Sequence, residues 1–135
     1  MDFKKIDHIG IVVRDLAKAI DAYSAGLGLV AEGTGEIEDV ELRVAFLKAR
    51  DVSIELLEYG NPELPLVELL HGNREGLNHI CYEVNNMEEA LEKLASRSFK
   101  VVPGFPRKGA HGSVAFLIPP HTDDERIEIM EKDHE

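Results

Sequence analysis

The hydrophobic pattern at the start of the chain predicts a strand followed by an amphipathic helix. Residues 4–13 read KKIDHIGIVV, a β-branched and apolar run typical of a strand with a buried face. The next apolar residues recur at helical spacing and are expected core positions: Leu16, Ile20, Tyr23 and Leu27. Gly26 and Gly28 predict the end of that helix. Three further strands are predicted at 29–37, 40–48 and 52–59.

The same order of elements begins again after a connector. Residues 60–76 carry prolines between glycines, which predicts a short helix inside a linker. Residues 77–84 read LNHICYEV and predict a second buried strand. Asn86, with Glu89 three residues later, resembles a helix-capping box. An apolar helical stripe follows, formed by Met87, Ala90, Leu91 and Leu94. The last strand candidates lie near 99–103, 113–118 and 125–131.

The two halves align as an internal repeat. When His8 is placed over His79, HIGIVVRDLAKAIDAY lies over HICYEVNNMEEALEKL, and the apolar positions match. At the far end of each half, SIELLE lies over RIEIME. Each half is therefore predicted to contain one strand, one helix and three strands, so the fold class is α+β with two tandem βαβββ modules. The expected boundaries are about 1–59 for module one, about 60–76 for the linker and about 77–135 for module two.

Strand alternation gives each half one imidazole and one carboxylate that point away from the expected core. They are His8 and Glu55 in the first half, and His79 and Glu128 in the second. A pseudo-twofold relation between the halves would bring the four side chains together. Such a set suits a divalent ion of intermediate hardness (Co, Mn, Ni, Fe or Zn) and leaves an octahedral ion open positions for catalysis. A single strand histidine is more often structural, so this prediction depends on the repeat.

Composition and charge narrow the class of partner. A net charge of −11 argues against nucleic acid, because phosphate binding needs clustered Lys and Arg. The apolar runs are too short to span a bilayer, and no secretory signal opens the chain. Cys81 is the one cysteine, which excludes an internal disulfide and suits a reducing cytoplasm. The expected partner is therefore a small molecule.

These segments resemble the vicinal oxygen chelate (glyoxalase/bleomycin resistance/dioxygenase) superfamily, and within it the methylmalonyl-CoA epimerases. The likeness covers nearly the whole chain and is carried by the segments 6–23, 52–58, 61–84 and 108–120. It implies a glyoxalase-like fold, in which two βαβββ modules form a curved mixed sheet around a metal site. It also implies that His8, Glu55, His79 and Glu128 are the metal ligands, and that the protein is a homodimer.

The resemblance implies an isomerase that interconverts the 2R and 2S forms of methylmalonyl-CoA. The proton at C2 would be exchanged through a metal-stabilised enolate. Proton transfer on both faces of C2 is simplest with two bases, of which Glu128 is the first. Some family members carry another glutamate on the third strand, where this chain has Leu42 with Glu41 beside it. The second base is therefore open, and Glu55 and Glu41 are the candidates.

The loop RKGAHG at 107–112 combines two cations with glycines. Arg107, Lys108 and His111 are therefore expected to bind a CoA phosphate or a substrate carboxylate, with a solvated turn as the alternative reading. The following segment PPHTDDE departs from the HPKD that the family often has, and its turn is more acidic.

Two rival functions remain at the level of sequence. A lactoylglutathione lyase would use the same four ligands on a glutathione hemithioacetal. A metal-free binding or resistance protein of the same fold would bind no metal and exchange no proton, and the presence of all four candidate ligands argues against it.

Overall fold

The computed structural model describes residues 3–133, which contain nine strands and three α-helices. The strands are β1 (Phe3–Val12), β2 (Val30–Ile37), β3 (Leu42–Ala49), β4 (Val52–Tyr59), β5 (Gly76–Val84), β6 (Lys100–Val101), β7 (Arg107–Lys108), β8 (Gly112–Ile118) and β9 (Arg126–Lys132). The helices are α1 (Leu16–Asp21), α2 (Pro65–Leu69) and α3 (Met87–Ser96). A π-helical turn (Ala22–Gly26) and a 3-10 turn (Glu38–Val40) complete the described elements.

The described chain divides into two compact units. The first unit is His8–Asn78, and the second comprises 79–133 together with 3–7. Strands of the first unit lie in the order β2-β3-β4-β1, with β1 and β4 parallel and the other pairs antiparallel. Those of the second lie in the order β5-β9-β8-β6, with β5 and β9 parallel and β7 also paired to β8. The mixed sheet and repeated strand order confirm the predicted glyoxalase-like βαβββ fold.

A side chain caps the start of both main helices, and the cap at Asn86 confirms the prediction from the sequence. The Asp15 carboxylate accepts a hydrogen bond from the amide of Lys18 at 3.0 Å. The Asn86 side chain accepts one from the amide of Glu89 at 2.8 Å. Each bond satisfies an amide of the first turn that has no partner within its helix.

The end of the first helix differs from the expected core stripe. After Asp21 the helix widens into the π-helical turn, and the amide of Leu27 bonds the carbonyl of Ala22. One extra residue in a turn rotates the following side chains away from the original stripe. Leu27 is therefore 68% exposed, and its prediction as a core residue was wrong.

A carboxylate at the end of the last strand also holds the start of the helix in each unit. Glu58 Oε2 accepts a hydrogen bond from the amide of Leu16 at 2.9 Å in the first unit. Glu131 Oε1 accepts one from the amide of Met87 at 2.7 Å in the second. A negative charge is favourable at a helix N-terminus, where the amides point outward. The repeat therefore duplicates the attachment of helix to strand as well as the elements themselves.

Each helix packs on one face of its strands. In the first unit the buried residues of this layer are Leu16, Ala45, Leu47 and Leu56. In the second they are Val84, Met87, Ala90, Ala115, Leu117 and Ile129. These residues alternate with the side chains of the candidate site along their strands, as expected for a sheet whose two faces have different tasks.

The other face of the first unit is also packed, although the sequence analysis assigned the core to one face only. The connector covers part of it, and Val67 of α2 is fully buried against residues of that face. The remaining buried members of this layer are Val12, Val40, Leu42, Val44 and Leu57. Gly72 is required here, because a Cβ would lie 2.7 Å from the Tyr59 ring and from Val67.

Within residues 3–133, no helix is both long and apolar enough to cross a bilayer.

Candidate functional site

The first unit places the predicted pair His8 and Glu55 together. His8 Nδ1 lies 3.1 Å from Glu55 Oε2, and His8 is 4% exposed. Glu55 faces Gly10 across the parallel β1–β4 pair, while His8 faces Ser53. Because Gly10 has no side chain, the Glu55 carboxylate has room to lean toward the imidazole two residues away on the same face. The glycine two residues after His8 thus leaves space for the contact between His8 and Glu55.

The second unit repeats this pair with His79 and Glu128. His79 Nε2 lies 3.0 Å from Glu128 Oε1, and the two residues are 8% and 6% exposed. Glu128 faces Cys81 across the parallel β5–β9 pair, and Cys81 is fully buried. A buried carboxylate is costly unless a cation or hydrogen-bond donors compensate it. The contact between Glu128 Oε1 and the imidazole nitrogen is close but is not a hydrogen bond, so a cation shared by these two atoms would compensate the charge.

An aromatic ring stands beside the candidate carboxylate in each unit. Phe46 of β3 is the cross-strand partner of Glu55, and Phe116 of β8 is that of Glu128. Cross-strand partners in an antiparallel pair share a face. In the second unit the Phe116 ring also meets the His79 ring edge-on, with centroids 5.0 Å apart and planes at 84°. Each unit therefore carries a histidine, a glutamate and a phenylalanine on one face.

The second unit extends this aromatic surface. Phe105 meets Phe116 at a centroid distance of 5.3 Å and an interplanar angle of 64°. The Arg107 guanidinium lies over the Phe105 ring, 5.6 Å from its centroid. We call the two rings the Phe105–Phe116 wall. It runs from the candidate ligand His79 to a cation that the sequence analysis assigned to CoA binding.

The rest of the predicted cationic loop forms a hairpin. Arg107 and Lys108 belong to the short strand β7, and the amide of Gly109 bonds the carbonyl of Gly112 at 2.8 Å. Lys108 pairs with Asp133. His111 is exposed, and its carbonyl accepts a hydrogen bond from the amide of Asp133. Arg107 contacts the Phe105–Phe116 wall through the Phe105 ring.

The alternative base Glu41 stands outside the face that carries Glu55. It is exposed at the end of the 3-10 turn, in the left-handed conformation with φ 49°. Leu42, the residue aligned with the family glutamate, is buried in the layer under the connector. Of these two glutamates, Glu55 is therefore the one that lies beside His8.

A buried arginine precedes Glu128 on the same face of β9. Arg126 is the register partner of His79 and is 7% exposed. Its Nη1 donates to the carbonyl oxygens of Asp123 at 2.7 Å and Glu125 at 2.9 Å. The guanidinium thus ties the acidic turn at 119–125 to the start of β9.

A second group of charges lies in the same unit, around Lys132. Its ammonium is 3.2 Å from Asp7 and 3.4 Å from the buried Glu83, which Lys4 also approaches at 3.4 Å. Partial burial by itself lowers the pKa of Lys132, but the hydrogen bonds and charges of Asp7 and Glu83 outweigh it, so the pKa lies above its ordinary value. This group holds residues 3–7 to the second unit.

The donor chemistry of the two histidine–glutamate pairs fits a divalent metal ion. His8, His79 and Glu128 are buried, and each offers a ligand atom. Glu55 supplies a further carboxylate next to His8. Imidazole and carboxylate together favour ions such as Mn, Fe, Co, Ni or Zn over calcium.

The aromatic residues of the site were missed at the level of sequence, although a signal for them exists. The tetrapeptide VAFL occurs at 44–47 and again at 114–117. In both copies the phenylalanine faces the candidate glutamate of the next strand. An identical tetrapeptide at matching places of a repeat would have pointed to these two residues.

Comparisons with known proteins agree with this picture. Residues 7–116 match the model of the glyoxalase/bleomycin resistance protein/dioxygenase superfamily. The chain is 33% identical over 128 residues to the uncharacterized protein YqjC of Bacillus subtilis, covering 94% of this chain and 91% of that protein. It is also 33% identical over 118 residues to the ethylmalonyl-CoA/methylmalonyl-CoA epimerase of Cereibacter sphaeroides, covering 85% and 88%.

A solved structure gives the same result at the level of the fold. A variant of the Streptomyces coelicolor methylmalonyl-CoA epimerase, in complex with 2-nitronate-propionyl-CoA, superposes with a TM-score of 0.85 at 26% identity. The match covers 98% of this chain and all of that one. The repeated modules, the buried histidine–glutamate pairs and these similarities lead to one conclusion: the chain belongs to the glyoxalase/bleomycin resistance protein/dioxygenase superfamily.

Proposed function

We propose that this protein is an epimerase that exchanges the proton at C2 of a malonyl-type acyl-CoA, with methylmalonyl-CoA as its substrate. The observation that carries the proposal is the duplicated pair of a buried histidine and a glutamate, with N–O distances of 3.1 and 3.0 Å. The similarity to the epimerases of Cereibacter sphaeroides and Streptomyces coelicolor supports the substrate class. The Cereibacter enzyme is named for both ethylmalonyl-CoA and methylmalonyl-CoA, so the substituent on C2 is the variable part of that class.

His8, Glu55, His79 and Glu128 would hold one divalent ion, and cobalt is the ion to test first. A bound divalent ion would lower the energy of the negative charge that develops on the thioester oxygen when C2 loses its proton. His8, His79 and Glu128 are buried, and the exclusion of water from the Glu128 carboxylate would strengthen its interaction with a charged partner.

Glu128 and Glu55 would act as the two proton-transfer bases. Each carboxylate lies beside an imidazole, which orients it and limits its rotation. Two bases allow a proton to leave one face of C2 and another to arrive on the opposite face. Glu55 is preferred to Glu41 for the second role because Glu41 stands in an exposed turn.

Arg107, with Lys108 and His111 nearby, would bind the CoA part of the substrate. Arg107 lies at the end of the Phe105–Phe116 wall, so a phosphate or carboxylate held there would direct the acyl group along the rings toward His79.

The expected assembly is a homodimer, which light scattering on the purified protein would measure.

Solvent deuterium uptake tests the function directly. The protein would be stripped of metal, reloaded with Co²⁺ and mixed with methylmalonyl-CoA in D₂O, and the substrate mass would be followed with time. We expect metal-dependent uptake in the wild type and loss of uptake in His79→Ala and Glu128→Ala, because each removes a proposed metal ligand as well as its other functions. Uptake should be normal in the matched control His121→Ala, which removes an exposed histidine.

The opposite result would be a protein that binds Co²⁺ but leaves the C2 proton in place. That outcome would refute the epimerase, and a glutathione hemithioacetal would become the next substrate to assay. Uptake that persists in His79→Ala and Glu128→Ala would place the chemistry elsewhere in the chain.

A further inference from the structure

The Phe105–Phe116 wall has no role in the proton transfer described above, yet it adjoins both candidate groups of the second unit. Phe116 contacts His79 ring to ring and faces Glu128 across the strand pair. It is 7% exposed, and Phe105 beside it is half-buried. The wall is therefore largely assembled before any ligand arrives.

The position of Glu128 decides what Phe116 can contact. Cross-strand neighbours have Cβ atoms about 4.5–5.5 Å apart, so an acyl group whose C2 reaches the Glu128 carboxylate lies within reach of the Phe116 ring. On the opposite side of Glu128 stands Cys81, which is fully buried and offers no open surface. A group bonded to C2 on this side must therefore pack against the rings.

We propose that the Phe105–Phe116 wall sets the size of the alkyl substituent that the site accepts on C2. This inference rests on the proposed epimerase function and deepens it. A rigid aromatic surface leaves a methyl group room but resists each added methylene, because well-packed sites are intolerant of extra volume. Phe116 limits the first added carbon, and Phe105, one ring further away, limits the next.

The phenylalanine of the first unit has different neighbours along its sheet. The neighbours of Phe46 and Val44 on β2 are Gly33 and Gly35, which carry no side chain on that face. The nearest ring atom lies 3.5 Å from a Cβ built at Gly35, so the ring lies against the bare backbone.

The test compares two substrates in the same variants. Wild type, Phe116→Leu and Phe105→Leu, loaded with Co²⁺, would be assayed for deuterium uptake with methylmalonyl-CoA and with ethylmalonyl-CoA. The readout is the ratio of kcat/KM for the ethyl substrate to that for the methyl substrate. One methylene in an apolar pocket changes kcat/KM by roughly 10- to 200-fold, so we expect Phe116→Leu to raise the ratio about tenfold.

The ratio separates selectivity from general damage, because a loss of stability or metal affects both substrates alike. Phe99→Leu is the matched control, since Phe99 packs against the helix-side layer, as Phe105 also does, but is not part of the Phe105–Phe116 wall. It should leave the ratio unchanged. An active Phe116→Leu enzyme with the wild-type ratio would overturn the wall as a selector while the epimerase stands. If Phe116→Leu does not fold, an unchanged ratio in Phe105→Leu would overturn it equally.

A wild type that exchanges neither substrate would overturn the epimerase itself, and the size selector with it. The two failures are therefore distinguished by the wild-type measurement alone, before any variant is compared.

Discussion

The two copies of Val-Ala-Phe-Leu show how the halves of this protein agree and differ. In both, phenylalanine faces a glutamate, and the glutamate stands beside a histidine from the first strand of its half. The surroundings of that phenylalanine differ. Phe46 adjoins glycines of an eight-residue strand, whereas Phe116 adjoins a second ring and an arginine.

The difference indicates that the duplicated residues and their surroundings have separate tasks. Under the proposed function, the groups that would bind metal or move a proton are present in duplicate, because each half supplies one histidine–glutamate pair. The proposed selector of the C2 substituent lies next to the pair of the second half.

The largest effects should come from the two carboxylates. Glu128→Gln and Glu55→Gln each keep an oxygen in place but remove a base, so interconversion of 2R and 2S should fall by about 10²–10⁴-fold in either variant. Starting from one isomer in D₂O, each variant should still exchange the proton of the isomer that its remaining base serves. If both variants lose exchange with the same isomer, the two halves do not serve opposite faces of C2.

Glycine substitutions should separate the halves by stability. A Cβ at Gly112 would lie 2.2 Å from the Glu131 carbonyl oxygen and 2.8 Å from Lys132 Cα, and backbone atoms cannot move aside. We expect Gly112→Ala to lower the free energy of unfolding by about 3 kcal/mol in urea titrations. A Cβ at Gly35 in the first half would meet only side-chain atoms at ordinary contact distance, the Phe46 ring at 3.5 Å and Val44 Cγ1 at 3.6 Å, so Gly35→Ala should change the free energy of unfolding by about 0.5 kcal/mol or less. Equal losses would show that the two positions are packed alike.

Removing the helix attachments should give a smaller effect of the same kind in both halves. Glu131→Ala and Glu58→Ala each leave a helix-terminal amide without its carboxylate, and we expect each to cost about 1 kcal/mol in thermal or urea unfolding. The matched control Glu92→Ala removes a carboxylate from α3 outside its first turn. A loss in the control equal to that in Glu131→Ala would refute the attachment.

The smallest effect concerns Lys132, which has Tyr59 at the matching place in the first half. Its pKa is raised above 10.5 in the folded protein, so its contribution to stability is complete below pH 10.5 and is lost as the pH rises through the raised value. Because the side chain is 42% exposed, Lys132→Met should cost only about 0.5 kcal/mol at neutral pH. The difference in stability between wild type and Lys132→Met should shrink in unfolding curves above pH 10.5. Lys132→Arg should keep the stabilising contribution at those pH values, because arginine stays charged.

The repeat made most of the fold predictable. Apolar periodicity located β1, α1 and the main strands, and the His and Glu positions selected the pairs that the structure brings together within each unit. Strand alternation also placed these residues on the face opposite the helices, because that rule depends only on backbone geometry.

The features that the sequence did not predict are those that tertiary packing determines. The π-helical turn before Leu27 adds one residue to the helical phase, which periodicity alone does not reveal. Burial of Leu42 follows from the position of the connector, and the strand at Arg107 and Lys108 exists only because β8 offers an edge to it. The Phe105–Phe116 contact joins residues from a loop and a strand, so no local pattern predicts it.

Strand β1 has a consequence for attempts to separate the halves. Its residues 3–7 belong to the second unit, whereas residues 8–12 belong to the first. A fragment that ends at the connector would therefore carry away five residues of the other unit, and the remaining fragment would lack the Asp7 that Lys132 contacts. The boundary between the ancestral copies in the gene and the boundary between the folded units are thus different places. Two separately produced fragments, cut at the connector, should therefore assemble into the folded protein only when strand β1 is supplied intact.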